Sequence, residues 1–87
     1  MRYAKLQDGN IQISEHGKNR IRSLLAGSGY SLLRLALSMG WTYQKLWRSV
    51  SGYQVMTTEE LDLLDASLMM LTGSRIDSDC CEPRGTV

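Results

Sequence analysis

Hydrophobic and polar residues alternate over residues 2–14, at the start of the chain. Asp8-Gly9, in the middle of this segment, is a preferred pair for a two-residue type I′ turn. The alternation and the turn predict a β-hairpin in which Leu6 faces Ile11. An isolated hairpin is only marginally stable in water, so we expect its apolar face to pack against helices or another subunit. That face is predicted to consist of Ala4, Leu6, Ile11 and Ile13.

The spacing of apolar residues changes after the hairpin to the three-and-four pattern of helices. Residues 18–26 are predicted to form a first helix, which the Gly-Ser-Gly sequence at 27–29 ends. A second helix is predicted over residues 31–39, with Ser31 as its N-cap and Gly40 as its stop.

Two further helices are predicted in the second half of the chain. The third covers about residues 42–51 and begins at Thr42. The fourth covers about residues 58–71, because Thr57 and Glu60 have the spacing of a capping box. Its predicted buried residues are Leu61, Leu64, Leu68 and Leu71, and its predicted solvent-facing acids are Asp62 and Asp65.

The chain has 87 residues, of which 43% are hydrophobic, which suits one small folded domain. Its net charge of +1 hides an uneven distribution. Residues 17–56 contain six basic residues and no acidic one, whereas residues 57–87 contain seven acids and two bases. We therefore divide the chain into an N-terminal hairpin (1–16), a helical domain (17–72) and a flexible acidic tail (73–87).

Chemistry-bearing residues are scarce. Cys80 and Cys81 are adjacent in the predicted tail, and His16 is the single histidine. With no nucleophile–base pair, phosphate loop or metal-ligand spacing, we expect no enzyme activity, no metal and no cofactor. The sequence has no signal-peptide core and no apolar run of the roughly 20 residues that a membrane span needs. We therefore expect a cytoplasmic protein without a membrane partner.

One run of residues stands where the second and third helices meet. It reads Leu35-Ala36-x-x-Met39-Gly40-Trp41-Thr42-x-x-x-Leu46, and Gly52 follows. A small residue at 36 allows close approach of two helices, and a glycine at 40 suits a turn with positive φ. This run resembles the lambda-repressor-like (XRE-type) helix-turn-helix family over about residues 18–71. The resemblance implies a mainly α fold, with a four-helix helix-turn-helix domain preceded by the N-terminal β-hairpin.

The resemblance also implies a function. The family's third helix lies in the DNA major groove, and its members usually bind operator DNA as dimers, which makes the hairpin and the fourth helix candidate dimer surfaces. By position, the base-reading residues are Tyr43, Gln44, Trp47 and Arg48, and the phosphate contacts are Arg22, Arg34, Thr42, Lys45 and backbone amides near Tyr53. The chain is therefore predicted to be a small sequence-specific transcriptional regulator, such as a phage-type repressor or a regulator of a mobile element, that binds double-stranded DNA as a homodimer.

Several residues depart from the family pattern. Leu32 stands where a phosphate-binding glutamine is common, Leu33 and Leu37 lie on a usually polar face, and Ser49 replaces a core aliphatic residue. Trp47 is large and apolar for a base-reading position. Exposed apolar patches are typical of protein interfaces. The alternative is therefore a helix-turn-helix scaffold that binds another protein, such as a phage-encoded inhibitor of a host protein. Leu33 and Leu37 packing under the hairpin is an equally open interpretation.

Overall fold

A computed structural model describes residues 11–76 and 80–83 of the chain. Within these residues it contains four helices and two short strands. In chain order the elements are β1 (Ile11–Ile13), α1 (Glu15–Ser28), α2 (Leu32–Met39), α3 (Tyr43–Val50), α4 (Thr58–Thr72) and β2 (Cys81–Pro83).

Helix α1 begins three residues earlier than the predicted start at residue 18. Its N-cap is Ser14, whose hydroxyl oxygen accepts a hydrogen bond from the Gly17 amide at 3.1 Å. The helix ends at Gly29, whose φ of +76° is the left-handed conformation that glycine adopts without strain. The Gly29 and Tyr30 amides then donate to the last carbonyl groups of the helix.

The other three helices have the caps that the sequence predicts. Ser31 and Thr42 each accept a hydrogen bond at 3.2 Å from the amide three residues later. Thr57 and Glu60 form both hydrogen bonds of a capping box, at 3.0 and 3.1 Å. Each cap satisfies an amide that has no partner within its helix, so the helix boundaries follow local sequence signals.

The described sheet differs from the predicted hairpin. Strand β1 pairs antiparallel with β2, with Ile11 opposite Pro83 and Ile13 opposite Cys81. On its other side, Ile11 forms an isolated antiparallel bridge with Met56, through amide–carbonyl hydrogen bonds of 3.3 and 2.7 Å. The described partners of β1 are thus distant in sequence, since residues 10 and earlier, including the predicted turn, lie outside the described residues.

The predicted flexible tail is wrong at residues 76 and 80–83. Ile76, Cys80 and Cys81 are buried, and the Cys80 carbonyl accepts a hydrogen bond from the Ser14 amide at 2.8 Å. The sequence interpretation missed this segment because its few apolar residues stand among polar ones, yet these apolar side chains complete the core. Residues 77–79 and 84–87 lie outside the described residues.

The core lies between the helices and the sheet. Helix α1 packs on α4, α2 packs on α3 and α4, and β1 packs on α3. On α4, Leu61, Leu64 and Leu68 are fully buried as predicted, and Leu71 packs partly buried against them. Asp65, predicted to face water, is instead 5% exposed and accepts a hydrogen bond from the Ile76 amide at 3.1 Å. A helix-phase argument cannot foresee this, because the donor comes from the segment after the helix.

Candidate nucleic-acid interface

The turn between α2 and α3 is short and closed by backbone hydrogen bonds. Gly40 ends α2 with a φ of +72°, and its amide donates to the Leu37 carbonyl at 3.3 Å. The Trp41 amide donates to the Ala36 carbonyl at 3.0 Å. Ala36 is fully buried, as expected for a small residue between packed helices. The turn therefore has the positive-φ glycine that the sequence predicts, and it leads directly into the N-cap of α3.

Helix α3 has one buried and one exposed face. Leu46, Ser49 and Val50 are buried. Ser49 satisfies its hydroxyl group inside the core by donating to the Lys45 carbonyl at 2.9 Å, which explains how a serine occupies a position suited to an aliphatic residue. The exposed face consists of the four predicted base-reading residues, Tyr43, Gln44, Trp47 and Arg48. They also line one shallow depression together.

An aromatic pair extends this face. The Trp47 and Tyr53 rings lie 5.6 Å apart between centroids, at an interplanar angle of 36°. Tyr53 is 67% exposed, so its ring lies on the surface beside α3. The backbone amides predicted to bind a phosphate here are already bonded, Gly52 to the Ser49 carbonyl and Tyr53 to the Arg48 carbonyl. These two amides close the end of α3, and a phosphate contact near Tyr53 stays a prediction.

Lys45, a predicted phosphate contact, has an internal partner. Its ammonium nitrogen lies 3.1 Å from a Glu60 carboxylate oxygen and 4.3 Å from the centre of the Trp41 ring. Partial burial raises the pKa of Glu60, but the hydrogen bond from the Thr57 backbone and the Lys45 ammonium lower it, and the pKa lies below its ordinary value of 4.5. A phosphate that binds Lys45 has to compete with this ion pair.

The other predicted phosphate contacts lie around α3. Arg22 on α1 lines a groove with Tyr43 and Trp47, so two helices distant in sequence meet there. Arg34 lies in the first turn of α2 and is exposed. Thr42 serves as the N-cap of α3, and its side-chain oxygen accepts from the Lys45 amide.

The groove beside Arg22 also contains a residue that the sequence analysis missed. Tyr30 is 37% exposed and lines the groove with Leu32, Tyr43 and Trp47. Tyr30 stands between the glycine that ends α1 and the serine that caps α2. This position in a short connection outside both helices was the sequence feature that could have identified Tyr30 as a surface residue.

Apolar side chains of α2 are exposed next to this face. Leu33 is 52% and Leu37 65% exposed, whereas Leu32 is partly buried against the core. Leu32 and Leu33 line an open depression with Tyr43. The three leucines named as a possible protein interface therefore separate into two that border α3 and one, Leu37, farther along α2.

No protein-family model, curated protein or solved structure matches this chain. Among the described residues, no helix is both long and apolar enough to cross a bilayer. In the same part of the chain, no three His, Cys, Asp or Glu side chains are grouped to hold a metal ion.

Proposed function

We propose that this chain is a small transcriptional regulator that binds a specific sequence of double-stranded DNA as a dimer, with α3 in the major groove. The observation that carries the proposal is the exposed face of α3. Tyr43, Gln44, Trp47 and Arg48 project from one helix that follows a tight glycine turn. The major groove of B-DNA admits one α-helix and displays a distinct hydrogen-bond pattern for each base pair.

The side chains on this face have complementary chemistry for base edges. Gln44 carries a donor and an acceptor, the pair that binds the N6 and N7 atoms of adenine. Arg48 carries the donors that bind O6 and N7 of guanine, or a phosphate. Tyr43 and Trp47 offer apolar surface to thymine methyl groups. In such an interface, Gln44 and Arg48 distinguish bases by hydrogen bonds. The two aromatic rings add apolar contacts with thymine methyl groups.

The surrounding charge favours a polyanion. Residues 17–56 contain no acidic residue, and Arg22 and Arg34 stand on the two helices next to α3. Lys45 is paired with Glu60 and can contact DNA only by breaking that ion pair. We therefore expect the contacts with DNA to come from Arg22, Arg34 and Arg48. Binding releases counterions from DNA, so its affinity should fall as salt rises.

Regulation on this basis needs no chemistry beyond binding. A dimer on an operator excludes polymerase from the same stretch of DNA, and its two α3 helices read half-sites about one helical turn apart. A near-palindromic operator follows from the two-fold symmetry of such a dimer.

The test compares Gln44→Ala and Arg48→Ala with Arg20→Ala as a matched control. Arg20 is exposed on α1, and two residues of helix turn it about 200° away from Arg22. Affinity is measured for a duplex selected from a random pool. We expect Gln44→Ala to cost about 1–3 kcal/mol at one base position, and Arg48→Ala to weaken binding. Arg20→Ala should change affinity little. Unchanged binding by both α3 variants would contradict the proposal.

A second candidate function is a protein-binding module, favoured by the exposure of Leu33 and Leu37 on α2. Apolar side chains with exposure above one half fit a protein interface better than a phosphate backbone. Leu37→Asp separates the two functions. If α3 reads DNA, this variant should bind DNA with an affinity within about twofold of the wild type. If instead the wild-type chain binds no DNA and the variant loses a protein partner in a pull-down, the protein-binding module is favoured.

A further inference from the structure

The outer face of α4 is apolar in its carboxyl-terminal half, and Glu59 and Asp62 are exposed on the same face in its amino-terminal half. Leu63, Ala66, Met69 and Met70 are all exposed, and Met70 reaches 74%. With 100° between successive residues, the exposed positions of α4 fall within an arc of about 120° centred on Ala66. The opposite side of the helix is buried in the core. Helix α4 thus presents an apolar stripe along the surface, which we call the α4 stripe.

We propose that the α4 stripe binds a second copy of this chain, with the two α4 helices antiparallel and a two-fold axis at Ala66. This contact rests on the proposed function for its biological purpose. It is the surface through which the proposed regulator dimerises. The arrangement places the dimer contact on α4 and leaves the exposed face of α3 available to DNA.

The stripe is complementary to itself in this arrangement. Antiparallel pairing about Ala66 sets Leu63 of each copy beside Met70 of the other, and Asp62 of each copy beside Met69 of the other. The small side chain at Ala66 meets its own copy and allows the helices to approach closely. Methionine side chains are flexible and fill irregular space at such contacts. A two-fold interface requires this kind of self-complementary pattern.

The charges at the two ends of the stripe select the antiparallel orientation. Glu59 and Asp62 lie at the amino end of the stripe, and Arg75 follows its carboxyl end. Antiparallel pairing brings the acids of each copy toward Arg75 of the other, and it opposes the two helix dipoles favourably. Parallel pairing sets like charges side by side. A second copy therefore supplies both the apolar surface and the opposite charges that the stripe needs.

The first test is the molar mass of the whole chain against concentration, by sedimentation equilibrium. One helix per copy makes a small interface, so we expect a dissociation constant on the order of 10 µM. The wild-type mass should approach twice 9.8 kDa above that concentration. Met70→Glu should raise the dissociation constant about 100-fold, because each dimer then buries two charges. Leu37→Glu, the matched exposed control on α2, should dimerise like the wild type.

Monomeric wild-type protein at about 300 µM, well above the expected dissociation constant, would overturn the proposal. So would a Met70→Glu variant that dimerises as tightly as the wild type. Circular dichroism of each variant confirms that it is folded, so that loss of dimer is not mistaken for unfolding.

Cysteine crosslinking tests the position of the axis. At an interaxial distance of 8–10 Å, the two Cα atoms of residue 66 lie about 3.4–5.4 Å apart, which reaches disulfide range at interaxial distances of about 9 Å or more. Ala66→Cys should therefore form a covalent dimer on mild oxidation. Glu59→Cys should not, because seven residues of helix separate it from the axis and place the two copies about 21 Å apart. The wild-type chain, with Cys80 and Cys81 buried, supplies the background. Equal crosslinking of both variants would overturn the antiparallel arrangement.

The two proposals fail separately. A monomer that still binds a DNA half-site through Gln44 and Arg48 retains α3 as the DNA-reading helix and overturns the α4 dimer. A dimer that Met70→Glu disrupts, but that binds no DNA, supports the α4 contact and contradicts the proposed function.

Discussion

Replacing Gly17 by alanine should destabilise the fold, although alanine normally strengthens a helix. Gly17 lies in the first turn of α1, where Cys80, the residue before strand β2, passes close to the helix backbone. A Cβ atom at this position lies 2.9 Å from both the carbonyl carbon and the Cβ of Cys80, and closer still to the carbonyl oxygen. The nearest atoms belong mainly to backbone, so a side-chain rotation cannot relieve the contact.

The expected magnitude follows from three contributions. Moving Cys80 away from α1 weakens the 2.8 Å hydrogen bond from the Ser14 amide to the Cys80 carbonyl, worth about 0.5–1.5 kcal/mol. Overpacking in a filled core typically costs about 1–3 kcal/mol. The gain in helix propensity from glycine to alanine offsets about 0.5–1 kcal/mol. We therefore expect Gly17→Ala to lower the free energy of unfolding by about 0.5–4 kcal/mol.

Gly27→Ala is the matched control. Gly27 lies in the same helix, and a Cβ atom added there meets nothing within 4 Å. It should raise the free energy of unfolding by up to about 1 kcal/mol. Thermal and urea unfolding followed by circular dichroism measure both variants, and 1 kcal/mol corresponds to roughly 4–8 °C in Tm for a chain of this size.

The two glycines should thus change Tm in opposite directions. If Gly17→Ala raises Tm by as much as Gly27→Ala, Cys80 does not pack against Gly17 of α1, and the burial of Cys80 has no support.

Three further predictions concern stability. Thr57→Ala removes the capping box of α4 and should cost about 1 kcal/mol in chemical denaturation. Asp65→Ala leaves the buried Ile76 amide without its acceptor and should cost about 1–3 kcal/mol, whereas the exposed Asp62→Ala should stay within about 0.5 kcal/mol; equal effects would contradict the buried hydrogen bond. The lowered pKa of Glu60 stabilises the fold above pH 4.5, and this stabilisation is lost as pH falls through the folded-state pKa. The stability difference between wild type and Glu60→Gln should therefore narrow from about pH 7 to about pH 3, and a constant difference would count against the Lys45 ion pair.

The helices were predictable because their boundary signals are local. Ser31 stands directly before its helix, Thr57 and Glu60 are three residues apart, and Gly40 takes the positive φ that its place in the turn requires. The angular spacing of residues around a helix then predicts the exposed face of α3, because a buried Leu46 places Trp47 toward solvent. These inferences need only the geometry of one helix.

The strand pairing was not predictable by the same reasoning. Gln12 and Glu82, opposite each other in the sheet, are 70 residues apart in sequence. Strand β2 has only three residues, too few to show an alternating pattern. The Lys45–Glu60 ion pair and the Trp47–Tyr53 contact depend on how separate parts of the chain pack, so no local sequence pattern predicts them.

The most direct test of the central claim is DNA selection from a random duplex pool, followed by titration of the recovered sequence at about 50 and about 200 mM salt. A dimer that contacts DNA through Arg22, Arg34 and Arg48 makes about six charged contacts. We predict a near-palindromic motif whose affinity falls about 10³-fold between the two salt concentrations. Weak binding with no recovered motif would contradict the assignment of α3 as a DNA-reading helix.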